Sequence, residues 1–192
     1  MKKKETQAPG AQGPAADEYG ARLEEFLAAH PDAPVSEDIE CLSLIMRKEF
    51  AMQILRGEKK VEIRAYSKFY HDRLFDRRVT AWSDAKAAEM EASGATEDEV
   101  DAFLADCVDL LAPLRPVKKI RFHNYDNTWY LEAECTENYQ VAVVRDQVEE
   151  LKSLYGCDEF DEMLEELEKK KAKDRPLYFY FVIGRILDTN LQ

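Results

Sequence analysis

The stretch FAMQILRGEKKVEIR, Phe50 to Arg64, decides the fold. Phe50, Ala51, Ile54 and Leu55 fall on one side of a 3.6-residue period and predict an amphipathic helix with those side chains inward. Gly57 follows at the position where a helix end takes positive φ, a conformation that glycine adopts at little cost. The period then changes to two. Val61 and Ile63 point one way, Lys60, Glu62, Arg64 and Tyr66 the other. β-branched side chains suit a half-buried pleated surface, so the Val/Ile face is expected in the core. The charged face is then solvent or the wall of a cleft. Lys59 stands at the turn into this strand, and the alternation does not fix its direction.

On either side of this segment the pattern alternates between helix and strand. A helix is expected from Glu18 to Ala29, with Leu23, Phe26 and Leu27 inward and Pro31 beyond its end. Cys41 to Ile45 reads as a strand, and so does Val79 to Trp82. Residues 83–112 turn helical. Thr96 and Glu99 make a capping box, and Val100, Phe103, Leu104, Cys107 and Leu111 an apolar stripe. Val117 to Tyr125 returns to period two, with a turn at Asp126-Asn127 and a second strand through Trp129, Leu131, Ala133 and Cys135. Gln140 to Val144 is expected as a further strand. Helices follow over Gln147 to Tyr155 and Asp158 to Lys173, then an apolar strand, LYFYFVIGRI, over Leu177 to Ile186.

Three of these segments carry a resemblance. Ile54-Leu55, Gly57, Lys59, Val61, Glu62, Ile63 and Arg64 follow the pattern I-L-x-G-x-K-x-V-E-x-R and resemble the ASCH domain, a branch of the PUA-like superfamily. VKKIRFHNY (117–125) and the C-terminal apolar strand extend the similarity to residues 41–188. The resemblance implies an α+β chain built on a PUA-like β-barrel with flanking helices. The helical pair at 83–112 is then an acidic insertion. The expected organisation is a disordered tail over 1–16, a helical extension and linker over 17–40, and the barrel domain over 41–192. It also implies binding of RNA or a modified nucleotide in a cleft beside the G-x-K-x-x-E-x-R motif. Some relatives are similar to enzymes that hydrolyse acylated cytidines or cut RNA. In the amidase-like relatives the motif lysine works with a hydroxyl residue three positions on and a downstream glutamate. Here Glu62 stands three positions after Lys59. Leu154-Tyr155 fall near the downstream glutamate position, with Glu149 and Glu150 just upstream. Binding is therefore the leading expectation, with a small hydrolase as the alternative.

Charge sets the strongest constraint on that function. The 192 residues carry a formal net charge of −12, and an acidic surface repels phosphate. The distribution is uneven. Arg47 to Arg78 holds ten basic residues against five acidic ones, so a basic face on an acidic body is expected. The acidic helices, with Glu97, Asp98 and Asp101 outward, offer a surface for a basic protein partner.

Residue chemistry narrows the candidates. Lys59 is the leading cation for a phosphate or base carbonyl, and if desolvated a candidate catalytic base beside Glu62. Arg64 is expected to hold phosphate and Glu62 to accept from a base amine. Lys60 and Tyr66 share their face. Lys119, Arg121, His123 and Tyr125 form a second basic strip interleaved with rings, a pattern that binds single strands by charge plus stacking, about 1–3 kcal/mol per base. Cys41, Cys107, Cys135 and Cys157 are widely spaced and predict neither zinc site nor disulfide framework, but buried thiols in a cytoplasmic protein. His30, His71 and His123 lack metal spacing. No cofactor-binding motif is present. No apolar run reaches about 18 residues, so no membrane span is expected. The basic start Lys2, Lys3 and Lys4 precedes no apolar stretch and does not read as a signal peptide.

Overall fold

The structure is a computed structural model that describes residues 16–192. The basic N-terminal start lies outside the described residues, and Ala16 opens the first helix. Along the chain run α1 (Ala16–Ala29), β1 (Leu42–Ile45), α2 (Lys48–Leu55), β2 (Val61–Ala65), α3 (Lys68–Leu74), α4 (Arg77–Ala92), α5 (Glu97–Leu111), β3 (Lys119–His123), β4 (Tyr130–Ala142), α6 (Arg145–Tyr155), α7 (Asp161–Lys169) and β5 (Leu177–Thr189). The class is α+β. Two compact units share the chain. One comprises the described residues to Ser36 with Phe75–Leu114, the other Glu37–Leu74 with Arg115–Gln192.

The first unit is helical. Val79, Cys107 and Leu111 form its buried centre, with Leu23, Phe26, Leu27, Trp82 and Phe103 packed against it. The capping box of α5 forms. Thr96 N donates to Glu99 Oε2 at 2.8 Å, and Thr96 Oγ1 accepts from Glu99 N at 3.4 Å. The strand expected at Val79 to Trp82 instead falls in the first two turns of α4. Asp76 caps it, accepting from Arg78 N at 2.9 Å. Val79, Ser83 and Ala87, four residues apart, all turn inward. A cap plus an i, i+4 stripe outweighs the β-propensity of Val79, Thr80 and Trp82.

The second unit contains the sheet, in the order β1-β3-β4-β5-β2. β1 runs parallel to β3, and every other pair is antiparallel. The sheet curls into a half-barrel whose edges are β1 and β2. The curl has a local cause. β4 shifts register three times between Glu132 and Glu137, and such bulges bend a strand and sharpen its twist. Gly184 of β5 lies over this bend, where an added Cβ would sit 2.9 Å from Thr136 Cγ2. These irregularities carry one strand through the polar stretch 136–138, so the separate strand expected at Gln140 to Val144 is the second half of β4.

Register decides which face each motif residue takes. Val61 pairs with Val182 and Ile63 with Tyr180. That face is covered by α6 and α7 through Val148, Leu151, Phe160 and Leu164. Glu62 pairs with Phe181 and Arg64 with Phe179, both rings fully buried. On this side Glu62 is only 6% exposed, while Lys60 stays exposed.

The helix leading into β2 stops as its sequence predicts. Gly57 takes φ +73°. Gly57 N donates to Ile54 O and Glu58 N to Gln53 O, each at 2.9 Å, the paired bonds of a Schellman ending. Where the chain leaves this unit and returns to it, Arg115 N donates to Leu74 O at 2.8 Å. Among the described residues no helix is long and apolar enough to cross a membrane.

Candidate functional site

A cleft of about 990 Å³ opens at the seam where the half-barrel does not close. Both edge strands line it, through Ile45 of β1 and Val61 to Arg64 of β2. The other walls are the start of α2 (Arg47, Phe50), the β3–β4 turn (Asn124, Tyr125) and the loop between α6 and α7 (Gly156 to Glu159). Arg64 spans the seam. Its Nη2 donates to Ile45 O at 2.9 Å and to Glu62 Oε1 at 2.7 Å, while its Nε is buried without a hydrogen-bond partner.

Glu62 is the electrostatic centre of the cleft. Burial raises its carboxyl above the ordinary carboxylate range, opposed by the nearby Arg64 and Lys59 charges. The Schellman turn delivers Lys59 to the same place. The Lys59 side chain is 14% exposed, its Nζ 3.8 Å from Glu62 Oε2 and hydrogen-bonded to Glu159. Lys59 thus stands between two carboxylates, one on the strand it leads into and one from the α6–α7 loop. Its Nζ also lies 5.9 Å from the centre of the Phe50 ring.

The rim carries two rings. Phe50, expected inward, is 44% exposed at the cleft mouth, because Ala51 and Ile54 alone turn the buried side of this short helix to the core. Tyr125 sits in the turn closed by Asn127 N donating to Asn124 O at 3.2 Å, and is 83% exposed. Tyr155 and Cys157 line the wall as neutral groups. Burial pushes the Tyr155 phenol up to about 12, with its hydroxyl on Glu137 Oε2 at 3.1 Å, and raises the Cys157 thiol.

The structure divides the residues singled out in the sequence. Lys59, Lys60, Glu62, Arg64 and Tyr125 meet in the cleft. Lys119, Arg121 and His123 do not line it. Lys119 and Arg121 each donate to Glu132 at 2.7 Å. Those bonds hold the Glu132 carboxyl below its ordinary range. Arg121 also stacks on Tyr130, 4.1 Å from the ring centre. His123 Nε2 lies 2.8 Å from Ser43 Oγ and its Nδ1 2.7 Å from Asn124 O. Tyr66 stacks on Phe179, with ring centres 5.7 Å apart, outside the cleft lining. Glu149, an upstream substitute for a downstream acid, pairs instead with Arg145.

Sequence reasoning missed Arg47 and Glu159. A signal for the second existed in Gly156, the left-handed stop of α6 at φ +70°. It turns Cys157 to Phe160 into a loop, so α7 begins at Asp161 rather than at Asp158. Among the described residues no cluster of three or more His, Cys, Asp or Glu side chains is placed to hold a metal ion. Of the cysteines, Cys41 is exposed rather than buried, and all four are free thiols.

No family model, curated protein or solved structure matches this chain.

Proposed function

We propose that this chain is an ASCH-like, PUA-like module that binds a nucleotide or RNA in the seam cleft. The observation that carries the reading is the buried Glu62 between Arg64 and Lys59, beneath the exposed rings of Phe50 and Tyr125. A desolvated carboxyl accepts hydrogen bonds from the amine and ring N–H of a base. Exposed rings supply faces for stacking, and cations receive a phosphate. The volume also suits a small polar ligand, since such pockets run to about 300–1,000 Å³. The free cysteines support a reducing compartment such as the cytoplasm.

The test is fluorescence anisotropy with a labelled mononucleotide and a labelled short single-stranded RNA, on wild type, Lys59→Ala and Arg64→Ala. Binding should weaken at least tenfold in both variants. Equal affinity in all three proteins, or no binding of either probe, would sink the proposal.

A hydrolase reading draws on a different observation, the placement of Lys59 between Glu62 and Glu159 in a cleft. A carboxyl whose proton affinity burial raises can take up and return a proton at a reacting group, and a lysine beside it can orient a reacting carbonyl. Turnover of an acylated cytidine that disappears in Glu159→Gln would support it. Absence of product from both acylated cytidine and RNA would remove it.

A further inference from the structure

The charges of the cleft are mostly spent on one another. Its cations are Arg47, Lys59, Lys60 and Arg64, and its acids Glu58, Glu62, Asp158 and Glu159. Glu58 is held by Arg56 through Nε at 2.7 Å and Nη2 at 2.9 Å. Glu62 is held by Arg64, and Glu159 by Lys59. Arg47 and Lys60 remain, both exposed on the lining, with no ion pair among the described residues. Asp158 remains on the acidic side, also exposed and without an ion pair. The cleft therefore offers an incoming anion two uncommitted cations against one uncommitted acid, in a molecule of net charge −12.

We infer that the cleft takes a nucleotide bearing a single phosphate group, received by Arg47 and Lys60, rather than a strand or a triphosphate. This rests on the nucleotide reading above and adds to it the ligand's charge. One phosphate group carries a charge of about −1.5 to −2 at neutral pH, which two cations neutralise. A triphosphate or a strand brings further charges that meet Asp158 and the acidic body. A strand held by two cations would show a salt slope no steeper than about −1.4, since each neutralised phosphate of a single strand contributes about −0.7.

Titration calorimetry on the full chain tests this with four probes for each of the common bases: the nucleoside, its 5′-monophosphate, its 5′-triphosphate and a ten-nucleotide RNA. For the preferred base, the monophosphate should bind at least fivefold tighter than the nucleoside and no weaker than the triphosphate. Arg47→Ala with Lys60→Ala should erase the monophosphate's advantage over the nucleoside. Asp158→Asn should raise triphosphate affinity more than monophosphate affinity. RNA bound tenfold tighter than the monophosphate, or a triphosphate preferred by that margin, would overturn the inference while leaving nucleotide binding intact. Equal affinity for nucleoside and monophosphate would overturn it in the same way. Failure of every probe would overturn both readings together.

Discussion

Glu62 shows how a residue's neighbours set its behaviour. Its carboxyl is raised because burial outweighs two adjacent cations. Between the ordinary carboxylate range and that raised value, the folded protein keeps a proton that the unfolded chain has lost. Stability from this group is therefore fully present at low pH and falls as pH rises through the folded value. The prediction concerns melting temperature from pH 4 to pH 8 in wild type and Glu62→Gln. The amide is a neutral stand-in for the protonated carboxyl, so the variant should melt close to wild type at pH 4. It should gain on wild type as pH rises above the ordinary carboxylate range. A difference that is constant with pH would show that Glu62 ionises as freely in the fold as outside it. The sequence placed Glu62, Arg64 and Lys60 on one side of a strand. It carried no sign that Glu62 would be buried there, because its cross-strand neighbour Phe181 lies far along the chain. The Lys59–Glu159 contact joins residues 100 positions apart and has no local signature either.

At the scale of elements, the helix-glycine-strand unit is the part that local rules predict well. Helix periodicity, a left-handed glycine and a period-two run each have a short-range physical cause, and all three point to the same structure. Gly57 gives this a measurable form. A Cβ there would meet nothing within 4 Å, so the cost of replacing it is conformational alone. Gly57→Ala should lower unfolding free energy by about 1–2 kcal/mol in urea titration. Gly57→Asn should lose less, since asparagine tolerates the left-handed region. Equal losses would assign the effect to something other than backbone conformation. β4 was harder to read. Its polar middle breaks the alternation, and the register shifts that absorb it depend on β5 as the pairing partner. α3 was missed outright. Its seven residues, from Lys68 to Leu74, are too few to show a period, and only Leu74 is buried. Val79 to Trp82 misled for the opposite reason: a strand-like composition sits on a well-capped helix start.

At the scale of the whole chain, the α+β class and the acidic helical pair were legible, whereas the open seam was not. Whether a curled sheet closes depends on strand lengths and bulges together, and no single segment states it. The two-unit division leads to a further prediction. Phe75 and Leu114 form an antiparallel bridge, and Leu74 and Arg115 share a hydrogen bond. The excursion therefore begins and ends at neighbouring points. A chain that starts at Glu37 and joins Leu74 to Arg115 through a short glycine-containing turn should keep a cooperative urea transition. Closing a shorter loop costs less entropy, about 0.6 kcal/mol for each halving of length. A non-cooperative transition would show that the sheet unit depends on the helical one. The bond between Leu74 and Arg115 also makes this junction a socket. Whatever is spliced there enters and leaves through one doorway, so a fluorescent reporter or a foreign domain whose own ends lie close together can be grafted in place of the helices without re-threading a single strand.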